Sequence, residues 1–226
     1  MRLSEIIGMP IDVGDENLPY NHEKKKAHQI GKSFSKNVYG SLSKEEKDSI
    51  EKYRDSAVIN RYLRSGDLEH SDKSHAQLLD AAISKRTLDK TVVVYRSVGG
   101  KFAEDLFDKD IGYTFVDNGF VSTTLHKKYA FSGVFSNDSL SVIMKIIVPR
   151  GTNFLYASEI DEAEVEVILP RNGKFKVLKK EKGVWTHGTK RKYIMFTMSY
   201  TQNKQFTEAQ KLDFNDYGTE FTALLN

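Results

Sequence analysis

Two glutamates separated by a single valine, Glu164-Val165-Glu166, are the residues of this chain best spaced to do chemistry together. On an extended strand, residues two apart share a face and lie about 6–7 Å apart along it. The two carboxylates are therefore expected side by side, with Val165, Val167 and Leu169 packed the other way. Paired carboxylates can stabilise a developing positive charge, and can grip or deprotonate a basic group. Arg96 follows the apolar run Val92-Val93-Val94-Tyr95. A cation there is costly unless it is paired or serves a bound anion. Gly119-Phe120-Val121 leads into three successive hydroxyls, Ser122-Thr123-Thr124, which can hydrogen-bond a carboxylate or a sugar. Each feature alone has an ordinary structural reading: a solvated strand face, an Arg emerging at a strand end, a Thr-rich strand favoured by propensity. The run Glu162, Glu164, Glu166 also leaves the register of the acidic pair open.

In chain order, an aromatic-Arg strand end, a Ser-Thr-Thr strand and a Glu-x-Glu strand resemble the R-S-E class of bacterial mono-ADP-ribosyltransferase toxins and effectors. Ile59-Asn60-Arg61-Tyr62-Leu63-Arg64 is similar to the helical I-N-x-x-L-R segment of the actin- and Rho-modifying exoenzymes. Phe131-Ser132-Gly133 resembles the F-x-G of their loop over nicotinamide. Val148-Pro149-Arg150-Gly151, then Phe154-Leu155-Tyr156, then Glu164 through Arg171 follow the same family in order and spacing. The likeness covers roughly residues 40–200. Two positions depart from it. Thr124 stands where the hydroxyl motif usually ends in Ser, and Val134 stands where many relatives carry an Arg for phosphate.

The resemblance implies NAD as substrate, and no metal is expected. It also sets the acidic register, because the family's catalytic Glu immediately precedes an apolar run leading to a turn. Val167-Ile168-Leu169-Pro170 follows Glu166, so Glu166 takes that role. Breaking the nicotinamide–ribose bond leaves positive charge on the sugar, as in glycoside hydrolysis, and Glu166 would stabilise it. Ser122 would orient Glu166, and Arg96 would hold the pyrophosphate. Thr123 and Thr124 would join the NAD contacts, and Phe131 would stack on nicotinamide. Tyr53 and Asn60 resemble an NAD-contacting pair in the helical part. In this family Glu at the position of Glu164 goes with arginine acceptors and Gln with other side chains. The expected partner is therefore a target protein with an acceptor arginine. Tyr156 to Ala163 corresponds to the loop that meets the target, with Tyr156 and Ile160 as candidate contacts. Two alternatives are an NAD glycohydrolase and a non-catalytic binding module on the same fold. Retention of Arg96, Ser122 and both glutamates argues against the second.

The elements that must position these residues divide along the chain. To about residue 86 the pattern is helical. Ile30, Phe34 and Val38 share one face of a helix over 22–39. Ser43 followed by Glu46 signals a capping box, Ile50, Tyr53 and Ala57 share a face, and Gly66 is a stop. A further helix is expected over Ser74–Lys85. From about residue 91 to 200 strands dominate, including a strand–turn–strand hairpin about Asn172-Gly173. Helices first and strands afterwards indicate an α+β domain over 1–200, with 201–226 an extension. The resemblance sharpens this to N-terminal helices on a two-sheet mixed and antiparallel β core.

Composition sets the outer limits. The chain has 226 residues, 39% of them apolar, enough for a substantial core. It has no cysteine, which excludes disulfides, thiolate metal sites and a thiol nucleophile. Six histidines show no close ligand spacing, so no zinc site is expected. A formal net charge of +3 and short lysine clusters do not make a nucleic-acid partner. The first residues lack a secretory pattern and no apolar stretch is long enough to span a bilayer. The expectation is a monomer made in the cytoplasm, acting in a host cell after injection or bacteriophage infection.

Overall fold

The computed structural model describes residues 10–35, 38–55, 57–66, 70–134, 141–158, 164–185 and 191–203. Four helices come first: α1 (Tyr20–Ser35), α2 (Lys44–Asp55), α3 (Val58–Ser65) and α4 (His70–Ser84). The capping box at the start of α2 is formed. The Glu46 N–H donates to Ser43 Oγ at 3.2 Å, and the Ser43 N–H donates to the Glu46 carboxylate at 2.7 Å. Gly66 ends α3 in the left-handed conformation (φ 83°), its N–H donating to the Tyr62 carbonyl. The apolar faces of α2, α3 and α4 meet in one cluster: Ile50, Tyr53, Ile59, Leu63, Leu79 and Ile83 pack with Phe120, Leu155 and Ile168 of the strand region. Removing this much apolar surface from water fixes the helices on the sheet.

The strand region contains β1 (Val92–Val98), α5 (Gly100–Phe107), β2 (Thr114–Asp117), β3 (Val121–Thr124), α6 (Lys127–Val134), β4 (Val142–Val148), β5 (Leu155–Tyr156), β6 (Glu166–Leu169), β7 (Gly173–Trp185) and β8 (Arg191–Thr201). The fold class is α+β, as expected, but the strands form one eight-stranded mixed sheet rather than two. Its order is β2-β7-β8-β4-β1-β3-β6-β5. Among the strand pairs of the described residues, β4 with β8 is the parallel one. β1 is the hinge of this arrangement. It pairs along its whole length with β4, yet touches β3 through the single register pair Tyr95↔Thr124. That thin seam joins what would otherwise be two sheets.

The hairpin expected at Asn172-Gly173 is a turn without a hairpin. Asn172 does take the left-handed turn conformation (φ 59°). However, β6 already has β3 and β5 on its two edges, so β7 pairs instead with β8 and β2. Gly173 allows this crossing because the Tyr200 ring lies where any Cβ would go. The main core lies on the sheet and includes Val94, Ile146, Val148, Val167, Leu169, Phe175, Phe196 and Met198. β8 ends at Thr201, and residues 204–226, the expected extension, lie outside the described residues.

Candidate active site

Glu166 opens β6, where Thr124 is its register partner on β3. It is 5% exposed, and its backbone N–H donates to Ser158 Oγ at 2.5 Å. Burial pushes its carboxyl pKa above the usual 4.5, and the nearby Glu164 charge adds to that rise. Hydrogen bonding from Ser122 and the charge of Arg54 act in the opposite direction without cancelling it. Arg54, on α2, donates from Nε to Glu166 Oε2 at 3.1 Å, and both side chains are largely buried.

Behind the carboxylate stands a chain of donors. Ser122 and the Tyr53 hydroxyl lie 2.9 Å apart. Asn60 Nδ2 donates to that hydroxyl at 3.1 Å and to the Phe120 carbonyl at 3.0 Å. Ser122 favours the ionised form of the Glu166 carboxylate, and its bond with Tyr53 can run in either direction, since the Tyr53 hydroxyl also donates to the Phe120 carbonyl at 3.3 Å. Tyr53 on α2 and Asn60 on α3 thus orient Ser122. Their order follows from helix packing, since α2 and α3 bury their apolar faces beside Phe120. Tyr53 and Asn60 were expected to contact NAD, and the structure instead places their polar atoms behind the hydroxyl that faces the carboxylate.

Arg96 lies on β1 beside the seam and lines two cavities. One, of about 350 Å³, is also lined by Ser122, Thr123, Thr124, Tyr129, Glu164 and Glu166. The other, of about 500 Å³, includes Arg64, Phe102, Phe115, Asp117 and Asn118. Arg64 is held there by Asp117 through two bonds of 2.8 and 3.0 Å. Arg96 Nη1 is buried and has no hydrogen-bond partner among the described residues. Burial lowers the guanidinium pKa. A buried guanidinium nitrogen without a partner is costly unless an anion completes it, and a planar multi-donor cation suits phosphate oxygens.

Glu164 does not lie in a strand with Glu166, as the two-residue spacing suggested. The strand starts at Glu166, and Val165 before it has φ 52° with its side chain fully buried. The start of α6 holds Glu164 in place at that kink. Thr124 Oγ1 donates to the Glu164 carbonyl at 2.7 Å and accepts the His126 N–H at 3.0 Å. Tyr129 OH donates to Glu164 Oε1 at 2.8 Å. The two carboxylates still face one cleft, because the kink replaces strand alternation in turning both toward it.

Several expected contacts take other places. The Thr123 hydroxyl donates to the Val167 carbonyl and Thr124 serves the kink, so both hydroxyls are committed to backbone. Phe131 is fully buried on α6, edge-on to Tyr193 and packed with Val93, Tyr95 and Ile143. It is core, because α6 turns that face onto the sheet, and it does not reach the cleft. Tyr156 is 2% exposed, fixed by His28 Nδ1 at 2.5 Å and seated on Gly31. It cannot meet a target protein from there. Ile160 lies outside the described residues. Arg54, Tyr129 and Ser158 were not expected. Arg54 directly follows Tyr53 and Tyr129 sits five residues past Thr124, but neither spacing signals a role without the fold.

Among the described residues no helix is long and apolar enough to cross a membrane, and no cluster of His, Asp and Glu could hold a metal ion. A search of curated protein sequences finds no significant match. The chain is similar in structure to Plx2a, an ADP-ribosyltransferase toxin from Paenibacillus larvae, at 22% identity over 80% of this chain and 97% of that one, with a TM-score of 0.68. It is similar to the enzymatic component C2-I of the C2-toxin from Clostridium botulinum (21% identity, 77% of this chain and 47% of that one, TM-score 0.64). It is also similar to BECa, an ADP-ribosylating toxin of a binary enterotoxin of C. perfringens solved with NADH (19% identity, 78% and 48%, TM-score 0.64). The chain spans about half the length of these last two proteins. At such identities the likeness is one of fold. A family model described as ADP-ribosyltransferase exoenzyme matches residues 27–203, most of the sequence, and the chain accordingly belongs to the ADP-ribosyltransferase exoenzyme family.

Proposed function

We propose that this protein transfers ADP-ribose from NAD to an arginine side chain of a target protein, releasing nicotinamide. The observation that carries the reading is the joint placement of two groups. A buried carboxylate at Glu166, its ionised form favoured by Ser122, and a buried guanidinium nitrogen at Arg96 with no partner among the described residues line the same cleft. The donor set suits a dinucleotide. Arg96 takes phosphate oxygens, and the adjoining cavity with Phe102 and Phe115 takes the remaining nucleoside. The carboxylate side of the cleft takes the nicotinamide ribose.

Bound NAD supplies a glycosidic bond whose cleavage places positive charge on the ribose. Glu166 is fixed by Ser158 through its backbone and by Ser122 through its side chain, so it meets that charge without reorganising. It must be ionised to do so. Arginine is protonated in water and a poor nucleophile. Glu164, at the more open side of the cleft, grips and orients the acceptor guanidinium and takes up its proton. Arginine is preferred over other acceptors because position 164 holds a carboxylate, which the resemblance associates with arginine.

The test is Glu164→Gln beside Glu166→Gln, with labelled NAD and cell lysate. Glu166→Gln should lose both protein labelling and nicotinamide release. Glu164→Gln should lose protein labelling and keep most NAD hydrolysis. Mass spectrometry should place ADP-ribose on arginine. Full labelling of arginine by Glu164→Gln would refute the acceptor assignment. Free ADP-ribose as the sole wild-type product would make the protein an NAD glycohydrolase.

A further inference from the structure

Glu164 is held by one end only. Its Oε1 accepts the Tyr129 hydroxyl at 2.8 Å, whereas Oε2 has no hydrogen-bond partner among the described residues. Tyr129 is well placed to impose this asymmetry. It lies in the first turn of α6, its backbone N–H donating to the His126 carbonyl, and its ring stacks on His126 at 6.5 Å between centroids. The same corner holds the Glu164 backbone through Thr124. One short segment, Thr124 to Tyr129, therefore fixes both main chain and side chain of Glu164, across a left-handed kink at Val165 that would otherwise leave the carboxylate free to swing. Tyr129 also lines the cleft. Glu166 has its own partners, Arg54, Ser122 and Ser158, and shares none of them with Glu164. The two carboxylates are positioned by separate machinery.

We propose that Tyr129 is the positioning residue that selects the acceptor: by anchoring Glu164 Oε1 it presents Oε2 to the incoming guanidinium and so directs ADP-ribose to protein rather than to water. The inference rests on the acceptor role of Glu164 argued above. A carboxylate that can rotate grips a guanidinium in many poses. One anchored by a neutral O–H donor offers a single edge, and the hydroxyl adds no charge to compete with the acceptor. The hydrogen-bond partners of Glu166 do not include Tyr129, and Glu164 reaches Glu166 only through its charge, which loss of the Tyr129 hydroxyl preserves, so cleavage of NAD does not depend on that hydroxyl.

The experiment compares the full chain with Tyr129→Phe, which keeps the ring and removes only the hydroxyl. Transfer to an arginine homopolymer is measured beside nicotinamide release without acceptor, each over a range of NAD concentrations. Transfer should fall about 10- to 100-fold, the loss expected for one hydrogen bond to a charged group. The KM for NAD and the hydrolysis rate should change less than about threefold, so the ratio of transfer to hydrolysis drops. Placed on Glu164→Gln, Tyr129→Phe should have no further effect on that ratio, since the two act as one unit. A parallel fall of transfer and hydrolysis would make Tyr129 merely structural and overturn the proposal, as would an unchanged ratio. If Glu164→Gln uncouples the activities and Tyr129→Phe does not, the Tyr129 inference fails while the arginine reading stands. If Glu164→Gln itself leaves transfer intact, both fail together.

Discussion

In the proposed reaction Glu166 acts as an anion, yet its surroundings raise its pKa. Burial raises its pKa, and Arg54 and Ser122 only partly restore ionisation. The sign of the pH dependence follows: activity is present above the raised pKa and lost as pH falls through it. The acidic limb of the pH–rate profile should therefore lie above 4.5, the ordinary carboxyl value. Arg54→Gln removes a lowering influence, so in that variant the limb should move further toward neutrality. A profile that stays put or moves to more acidic pH would show that Arg54 does not govern this titration. Arg96→Lys should weaken NAD binding, read as a raised KM, because one ammonium cannot replace a planar fork of donors. Glu-x-Glu, Ser-Thr-Thr and a strand-end Arg are unusual together, and that combination singles out Arg96, Ser122, Glu164 and Glu166, which line one cleft. Arg54 is not legible in the sequence, because its partner lies 112 residues away and its own helix gives no sign of it. Family resemblance puts Phe131 over nicotinamide and Tyr156 in the target-protein loop, but an aromatic at either position satisfies a core place equally well. Only the rotation of α6 and the packing of β5 decide between the two.

At the scale of elements, α1 and β5 are closely fitted. Gly31 on α1 lies against the Tyr156 ring, which occupies the place of any Cβ. Gly31→Ala must push α1 from β5, at about 1–3 kcal/mol, measurable as a lowered midpoint in denaturant. Ser43→Ala removes one half of the α2 capping box and should cost about 1 kcal/mol. Activity should persist, because α2 is still packed through Ile50 and Tyr53. Helix caps and most face residues are readable because they depend on neighbours three and four residues apart, but α1 ends at Ser35, before Val38, and Ala57 lies beyond α2 and is exposed. The hairpin at Asn172 was misread because a turn signal does not say which strand edges are already occupied. The same holds for the sheet. Local sequence marks the strands, but whether one sheet or two results depends on the single pair at the β1–β3 seam.

Across the whole molecule, the first helix meets the start of α6 at a buried acid–imidazole pair, where the Lys128 N–H donates to Glu23 Oε1 at 3.2 Å. His126 is fully buried, 3.8 Å from Glu23, and its pKa is lowered to about 4 by burial and by the nearby charges of Lys24 and Lys128. Glu23 is pushed the other way by burial. A histidine held neutral in the fold contributes stability that is complete above its unfolded value of 6.5 and is lost as pH falls toward 4. Glu23, with its raised pKa, gains from acidification and offsets part of that loss. His126→Phe removes the proton-sensitive group. The fall in melting temperature between pH 7 and pH 5 should shrink in that variant, and an equal fall would place the acid sensitivity elsewhere.

The position of Arg96 as a wall common to two cavities has a pharmacological corollary. A small inhibitor seated among Phe102 and Phe115 and one seated beside Glu166 share no shape, yet each that carries an anion claims the same guanidinium. Two such fragments should antagonise one another, and joining them gains affinity only if the linked molecule spends a single negative group at the junction.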